Sequence, residues 1–250
     1  MNWGGSIPLL TTWKLCEFDV VEPTIGRVFR ELIGSLMWIA LLSRPDIVNA
    51  VSSVARCCNA PNMIHWKATL SILGYAVRTT SFGIAFQRRT VEGFHLVSFA
   101  DADYASMATD RRSVSGGVVM CAWGGVSWYS KTQKCVTLST TEAEYVAMSD
   151  VAKEVLFLRQ VRRFMLPRER MPCILLFEDN EGAMQIAKHP ISSSNSKHID
   201  VRHHFLTELV ERKEIEIIHV VSQYQHADFL TKASPEREFE VHPGIVMNLM

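Results

Sequence analysis

The apolar pattern of this chain changes period near Phe94, from the spacing of helices to that of strands, and this change limits what the chain can build. Residues 94–102, 113–121 and 126–130 are apolar and rich in β-branched and aromatic types, with turn signals at Thr109-Asp110 and Gly124-Gly125 between them. Three antiparallel strands are expected. A helical stretch follows over 139–164, where Thr140 or Thr141 can cap and Glu142 or Glu144 can complete a capping box. After it come a short buried strand over 173–177, helices over 181–188 and 197–211, and a last strand over 215–220. Strands and helices in this order predict an α/β domain with a mixed five-stranded sheet flanked by helices.

Ahead of the change lies a mainly helical segment. Residues 27–56 carry apolar positions at helical spacing, broken at Arg44-Pro45-Asp46, and Pro disfavours helix at the residue before it. Two helices meeting near Pro45 follow. A third is expected over 65–78, after the turn Asn59-Ala60-Pro61-Asn62. Residues 1–26, with Trp3, Gly4, Gly5, Pro8 and Trp13, read as irregular, and 234–250 as a tail.

Composition narrows the function classes. With 250 residues and 48% hydrophobic content the chain can bury a large core. It has no apolar run of membrane-spanning length and no signal peptide, so an intracellular protein without membrane contact is expected. Its six cysteines form no CxxC pair and read as reduced thiols. Net charge is zero, so attraction to nucleic acid must be local. One local basic run exists: Lys153, Arg159, Arg162, Arg163, Arg168 and Arg170 against Glu154 and Glu169. It is either a solvated helix face or a phosphate-binding one.

Four acids stand where strands end or along an inward helix face: Asp101, Glu144, Asp179 and Asp228. Burying ionised carboxylates without compensation is very costly, so their convergence on one place points to bound divalent cations. Asp101 shares the parity of His95, Val97 and Phe99, and Asp103 shares it too. Glu144 lies on the stripe Ala147, Met148, Val151, Val155 and Leu158, whereas Glu142 lines up with Tyr145, Val146 and Ser149 and suits the helix start. Asp179 closes the apolar run 174–177 at the carboxyl end of a strand, where open α/β sheets bind ligands; it can equally be a helix cap. Asp228 follows the last strand and has the same alternative. His189, His198, His203 and His204 suggest zinc, but positions 198 and 203 are about 500° apart around a helix and no Cys stands at ligand spacing.

The segments SFADADYAS, DRRSVSGGVV, VSWYSKTQKCVTLSTTEAEYVAM, LLFEDNEGAMQIAKHP, SKHIDVRHHF and HADFLTK occur in that order between Ser98 and Lys232. Together they resemble the ribonuclease H domain at the carboxyl end of the Pol polyprotein of copia-type LTR retrotransposons. RELIGSLMWIALLSRPDIVNAVSSVAR, over 30–56, resembles the segment after the reverse-transcriptase palm in that family. The resemblance covers about residues 27–233, and the palm itself is absent from the chain. It implies a ribonuclease H-like domain over 94–233 and, over 27–93, the end of the reverse transcriptase.

The resemblance also implies an activity. The first Asp of DADY, Asp101, the second Glu of TEAEY, Glu144, the Asp of DN, Asp179, and Asp228 would hold two Mg²⁺ ions, with Mn²⁺ as a substitute. The substrate would be the RNA strand of an RNA–DNA hybrid, met in a cytoplasmic virus-like particle or in the nucleus. Backbone amides and Asn180 are the candidates for hydrogen-bonding the 2′-hydroxyl, and Arg159, Arg162 and Arg163 for phosphate. Many cellular ribonucleases H carry a mobile His before the last Asp; here His226 stands two residues before Asp228, and its role stays open. Oligomeric state is not indicated. The rival reading is a folded, inactive or co-opted retroelement remnant that binds nucleic acid without turnover.

Overall fold

The structure, a computed structural model of the chain, describes residues 5–9, 11, 15, 28–86, 95–107, 110–188 and 197–249, without the side chains of 197–203, 237, 238 and 240. Most of the segment expected to be irregular, Trp3, Trp13 and Cys16 included, lies outside the described residues. Within it, Ile7, Leu9 and Leu15 are buried against the core.

Three helices come first: α1 (Val28–Leu42), α2 (Pro45–Ala55) and α3 (Met63–Arg78). The break falls at Arg44-Pro45 as the spacing predicts. Pro45 opens α2, where its missing N–H would have had no helical partner. The corner is closed by a buried pair in which Arg44 Nε and Nη2 donate to Asp46 at 2.9 and 2.7 Å. The Tyr75 hydroxyl donates to the same carboxylate at 2.9 Å, and Arg44 Nη1 donates to the Thr79 carbonyl at 3.0 Å, so the corner is tied to the end of α3. α3 starts earlier than its apolar spacing suggests. The Asn62 side chain accepts from the N–H groups of Ile64 and His65, and His65 Nδ1 accepts from the Asn62 N–H, a reciprocal cap.

Strands β1 (Leu96–Asp103), β2 (Val114–Cys121) and β3 (Gly124–Thr132) form an antiparallel meander. The turn signal Gly124-Gly125 is displaced from the turn. Ala122 and Trp123 occupy it with φ of 49° and 67°, while Gly124 pairs with Cys121 and Gly125 with Met120 inside the sheet. Positive φ at both central residues is what the strand twist asks of a two-residue hairpin loop. The chain then runs through α4 (Thr140–Met165), β4 (Ile174–Glu178), α5 (Glu181–Lys188), α6 (Lys197–Glu211) and β5 (Ile215–His219). Sheet order is β3-β2-β1-β4-β5, with β4 parallel to both β1 and β5. This is the mixed five-stranded sheet expected from the order of elements.

Strand alternation sorts the interior into two layers. Ala100, Val119, Ile174, Leu176, Ile215 and Ile217 meet α4, α5 and α6, through Tyr145, Met148, Val151, Val155, Ala183 and Leu206. Phe99, Val118, Met120, Trp128 and Phe177 meet the opening helices through Phe29, Leu36, Ile47, Val51 and Ile72. The helical segment is therefore the cover of the second sheet face. Trp128 Nε1 donates to the Ala40 carbonyl at 2.8 Å across that contact. The expected tail instead forms α7 (Glu236–Met247), which adds Phe239 and Val246 to the same layer.

Cys57, Cys58, Cys121, Cys135 and Cys173 are free thiols. Among the described residues no helix is long and apolar enough to cross a membrane.

Candidate metal centre

The parallel pairing of β1 and β4 places two acids side by side. Phe99 stands opposite Phe177, so two residues further on Asp101 comes level with Asp179 at the carboxyl ends of both strands. The first turns of α4 pass over these ends and bring in Glu144. One carboxylate oxygen from each of Asp101, Glu144 and Asp179 lies within 4.8 Å of the others. Asp101 and Glu144 are buried, at 7% and 8% exposure, while Asp179 is half-buried.

Asp228 reaches the same region on a short 3-10 turn, Asp228–Leu230. Three side chains fix that turn. Gln225, fully buried, donates to the Ala100 carbonyl at 2.8 Å and accepts from the Ala227 N–H. The Thr231 hydroxyl donates to the Asp101 carboxylate and lies 2.9 Å from the Asp228 carbonyl. Asn49 of α2 donates to the Leu230 carbonyl at 3.0 Å. Gly116, paired with Asp101 across the β1–β2 ladder, leaves the turn its space. A Cβ there would lie 2.7 Å from Thr231 Cγ2 and 2.8 Å from Leu230 Cβ. The Asp228 carboxylate is not one of the three converging groups; its Oδ1 is 2.5 Å from Lys232 Nζ.

The fields in this cluster are those of carboxylates short of positive charge. Burial, and next the Asp228 charge, push Asp101 up to about 7, against the opposing effect of the hydrogen bond from Thr231. Burial also raises Glu144, followed by the charge of Glu178, a residue the sequence reading did not single out. Glu178 ends β4, is fully buried and is itself raised by burial. One oxygen of Glu144 and one of Glu178 are sealed from water without a hydrogen-bond partner. The signal for Glu178 was present in the alternation Ile174, Leu176, Glu178, which aims it at α4. Hard oxygen donors, one of them the orphaned and buried oxygen of Glu144, fit a hard cation.

The remaining candidates separate. Glu142 accepts from the Leu138 N–H at 2.6 Å, and the Ser139 hydroxyl accepts from the Glu142 N–H. Ser139, not Thr140 or Thr141, is thus the cap. The amphipathic stripe did not by itself distinguish the two glutamates, since every residue from Ala143 to Ala152 is buried and α4 has no solvent face there. Asp103 is the last residue of β1 and outside the converging set. Asp179 does not cap α5: Asn180 does, its Oδ1 accepting from the Ala183 N–H at 2.9 Å, while Asp179 Oδ2 accepts from Ser222 Oγ at 2.7 Å.

The three arginines proposed for phosphate are not equivalent. Arg162 is buried and donates to the Arg170 carbonyl and Met171 Sδ; Arg159 pairs with Glu214 at 2.6 Å. Arg163, Arg168 and Arg170 are exposed. From Glu144 to Arg162 along α4 is roughly 27 Å at 1.5 Å per residue, so Arg162 and Arg163 are remote from the acids. His226 packs its ring on Phe99 and shares a 3.1 Å nitrogen contact with His242. Burial and His242 lower it to about 4. Of the zinc reading, His189 and the side chains of His198 and His203 lie outside the described residues.

An antiparallel meander joined in parallel to two further strands, with acids at the ends of β1 and β4 and a third from the helix crossing them, defines a ribonuclease H-like domain. No family model matches the chain. It is 33% identical, over 93% of its length, to the retrovirus-related Pol polyprotein from transposon TNT 1-94 of Nicotiana tabacum. It is 30% identical over 93% of its length to that from transposon RE1 of Arabidopsis thaliana. Its homologues are thus retrovirus-related Pol polyproteins of copia-type transposons, at 30–33% identity. It spans 17% and 16% of the length of those two relatives. Among solved structures, ribonuclease H1 from the archaeon Halobacterium salinarum NRC-1 aligns with 55% of this chain and 94% of its own, at 17% identity and a TM-score of 0.39.

Proposed function

We propose that this chain is a Mg²⁺-dependent endonuclease that cleaves the RNA strand of RNA–DNA hybrids, within the reverse-transcription machinery of a retrotransposon. The observation that carries the reading is the convergence of Asp101, Glu144 and Asp179 at the strand ends, with Asp228 beside Asp101. A retroelement that copies RNA into DNA leaves a hybrid whose RNA strand has to be removed, and such carboxylates suit that hydrolysis. Mg²⁺ held by these carboxylates would supply an activated water and stabilisation of the leaving 3′-oxygen.

The chain's own residues would divide the work. Asp101, close to Glu144 and Asp179 and under the charge of Asp228, would help to hold both ions of a two-ion site. Glu144 and Asp179 would serve the leaving-group side and Asp228 the water side. Asn180, fixed by its capping bond, and nearby backbone amides would meet the 2′-hydroxyl that tells RNA from DNA. Among the basic residues, Arg163, with Arg168 and Arg170, is favoured for distant phosphate contact over Arg159 and Arg162.

The test is cleavage of an end-labelled hybrid with and without Mg²⁺, duplex DNA serving as control, in the wild type and in Asp179→Asn. The amide keeps the shape and removes a charge, so cleavage should fall by orders of magnitude, and the Mg²⁺-dependent rise in melting temperature should shrink. A folded wild type with neither cleavage nor a Mg²⁺-dependent melting shift is the inactive remnant.

A further inference from the structure

We propose that the Lys232 ammonium is a tethered cation standing at the second metal position, so that the carboxylate site fills in two unequal steps. The inference rests on the two-ion reading above and concerns how the free protein holds its ions.

The four acids are not equivalent in geometry. Asp101, Glu144 and Asp179 turn oxygens toward one another, whereas Asp228 Oδ1 accepts from Lys232 Nζ at 2.5 Å. The ammonium also acts on its neighbours, since its charge lowers the proton affinity of Asp101 and Asp103. It therefore sits among the carboxylates on the Asp228 side, where a second ion would have to bind. A first cation at Asp101, Glu144 and Asp179 meets no such occupant.

Two features make the ammonium a removable occupant. The turn beneath it is pinned by Gln225, Thr231 and Asn49, so the Asp228 backbone stays in place when the side chain leaves. The Lys232 side chain is 51% exposed, so its flexible stem can swing out without unpacking the core. An ammonium is a compact, strongly hydrated charge that water readily takes over, unlike a guanidinium locked in a two-pronged pair. Occupation of the second position thus requires exchange of one cation for another.

Mn²⁺ binding to the full chain, followed by calorimetry and by paramagnetic resonance without substrate, tests this. The wild type should show one tight and one weak ion. Lys232→Met should tighten the weak step by on the order of tenfold and leave the tight one unchanged, while Lys232→Arg keeps the gap or widens it. Without metal, Lys232→Met should melt below the wild type, because three carboxylates lose a counter-charge, and saturating Mn²⁺ should remove that difference. Lys232→Gln serves if the Met variant does not fold. Two ions bound by Lys232→Met with wild-type affinities would overturn the inference and leave the metal site standing. A wild type that binds no Mn²⁺ overturns both.

Discussion

Glu144 on α4 and Glu178 at the end of β4 oppose each other through the buried seam between helix and sheet, each with an oxygen that no hydrogen bond reaches. Two ionised carboxylates cannot both be held there at low cost, so the metal-free protein keeps a proton in the seam.

Glu178→Gln should relieve this strain. The folded state holds the Glu178 proton more tightly than the unfolded chain does, so the wild type loses stability as pH rises above the ordinary carboxylate range. Without metal, the variant should melt several degrees above the wild type at pH 8 and about level with it at pH 4, given about 2–4 °C per kcal/mol in a protein of this size. Equal melting at pH 8 would show that Glu178 carries no repulsion.

The pH dependence of the metal-free protein should carry the sign of Asp101. Its proton is held up to about 7 in the folded state against 3.8 unfolded, so its contribution is present below 3.8 and is lost as pH rises to about 7. His226 acts oppositely: lowered to about 4 from 6.5, it contributes stability above 6.5 that is lost as pH falls to about 4. Asp101→Asn should reduce the loss on the alkaline side, leaving the share that Glu178 carries, and keep the acid-side loss, as read by denaturant midpoints from pH 4 to 8. Mg²⁺ should reverse the alkaline loss in the wild type, since a cation prefers the ionised carboxylate.

Gly116→Ala tests the placement of the Asp228 turn. The added methyl would meet Thr231 Cγ2 at 2.7 Å, Leu230 Cβ at 2.8 Å and the Ala227 carbonyl at 3.0 Å, and it can be accommodated only if the turn moves. Since a small misplacement in a catalytic site costs about a hundredfold, hybrid cleavage should fall by roughly that factor while circular dichroism stays native. Cleavage at the wild-type rate would mean that the turn need not sit where it does.

Arg162 and Arg163 are neighbours in sequence with different expected effects. Arg162→Ala removes a buried, hydrogen-bonded cation and should cost about 1–3 kcal/mol in urea unfolding, whereas Arg163→Ala should stay within about 0.5 kcal/mol. In hybrid binding the order reverses: replacing Arg163, Arg168 and Arg170 together should flatten the salt dependence, and Arg162→Ala should not.

These contrasts show where the chain is legible from sequence. The strands were readable because alternation and β-branched content are local properties, and Asp101 and Asp179 because both end apolar runs. Glu178 is masked by Asp179, its neighbour in the DN pair, although strand parity aims it inward. Arg162 could not be told from Arg163 by counting charges, since its burial depends on the chain folding back at Arg170 and Met171. The Ala122-Trp123 turn was hidden because neither residue type favours positive φ, and the adjacent glycines drew the expectation two residues downstream. Lys232 is unremarkable in sequence; only the turn that returns it to Asp228 gives it a place.

The wall that α1, α2 and α3 build against Phe99, Trp128 and Phe177 bears on what can be inherited as a unit. A recombination breakpoint between Thr79 and His95 would fall where the hydrophobic period changes, yet it would divide partners that share one interior. An element acquiring only the later part would receive a sheet with a bare apolar face and an Asp228 turn without its Asn49 tether. Exchange of this domain between elements should therefore carry the helices along, with the breakpoint upstream of the change in the sequence pattern.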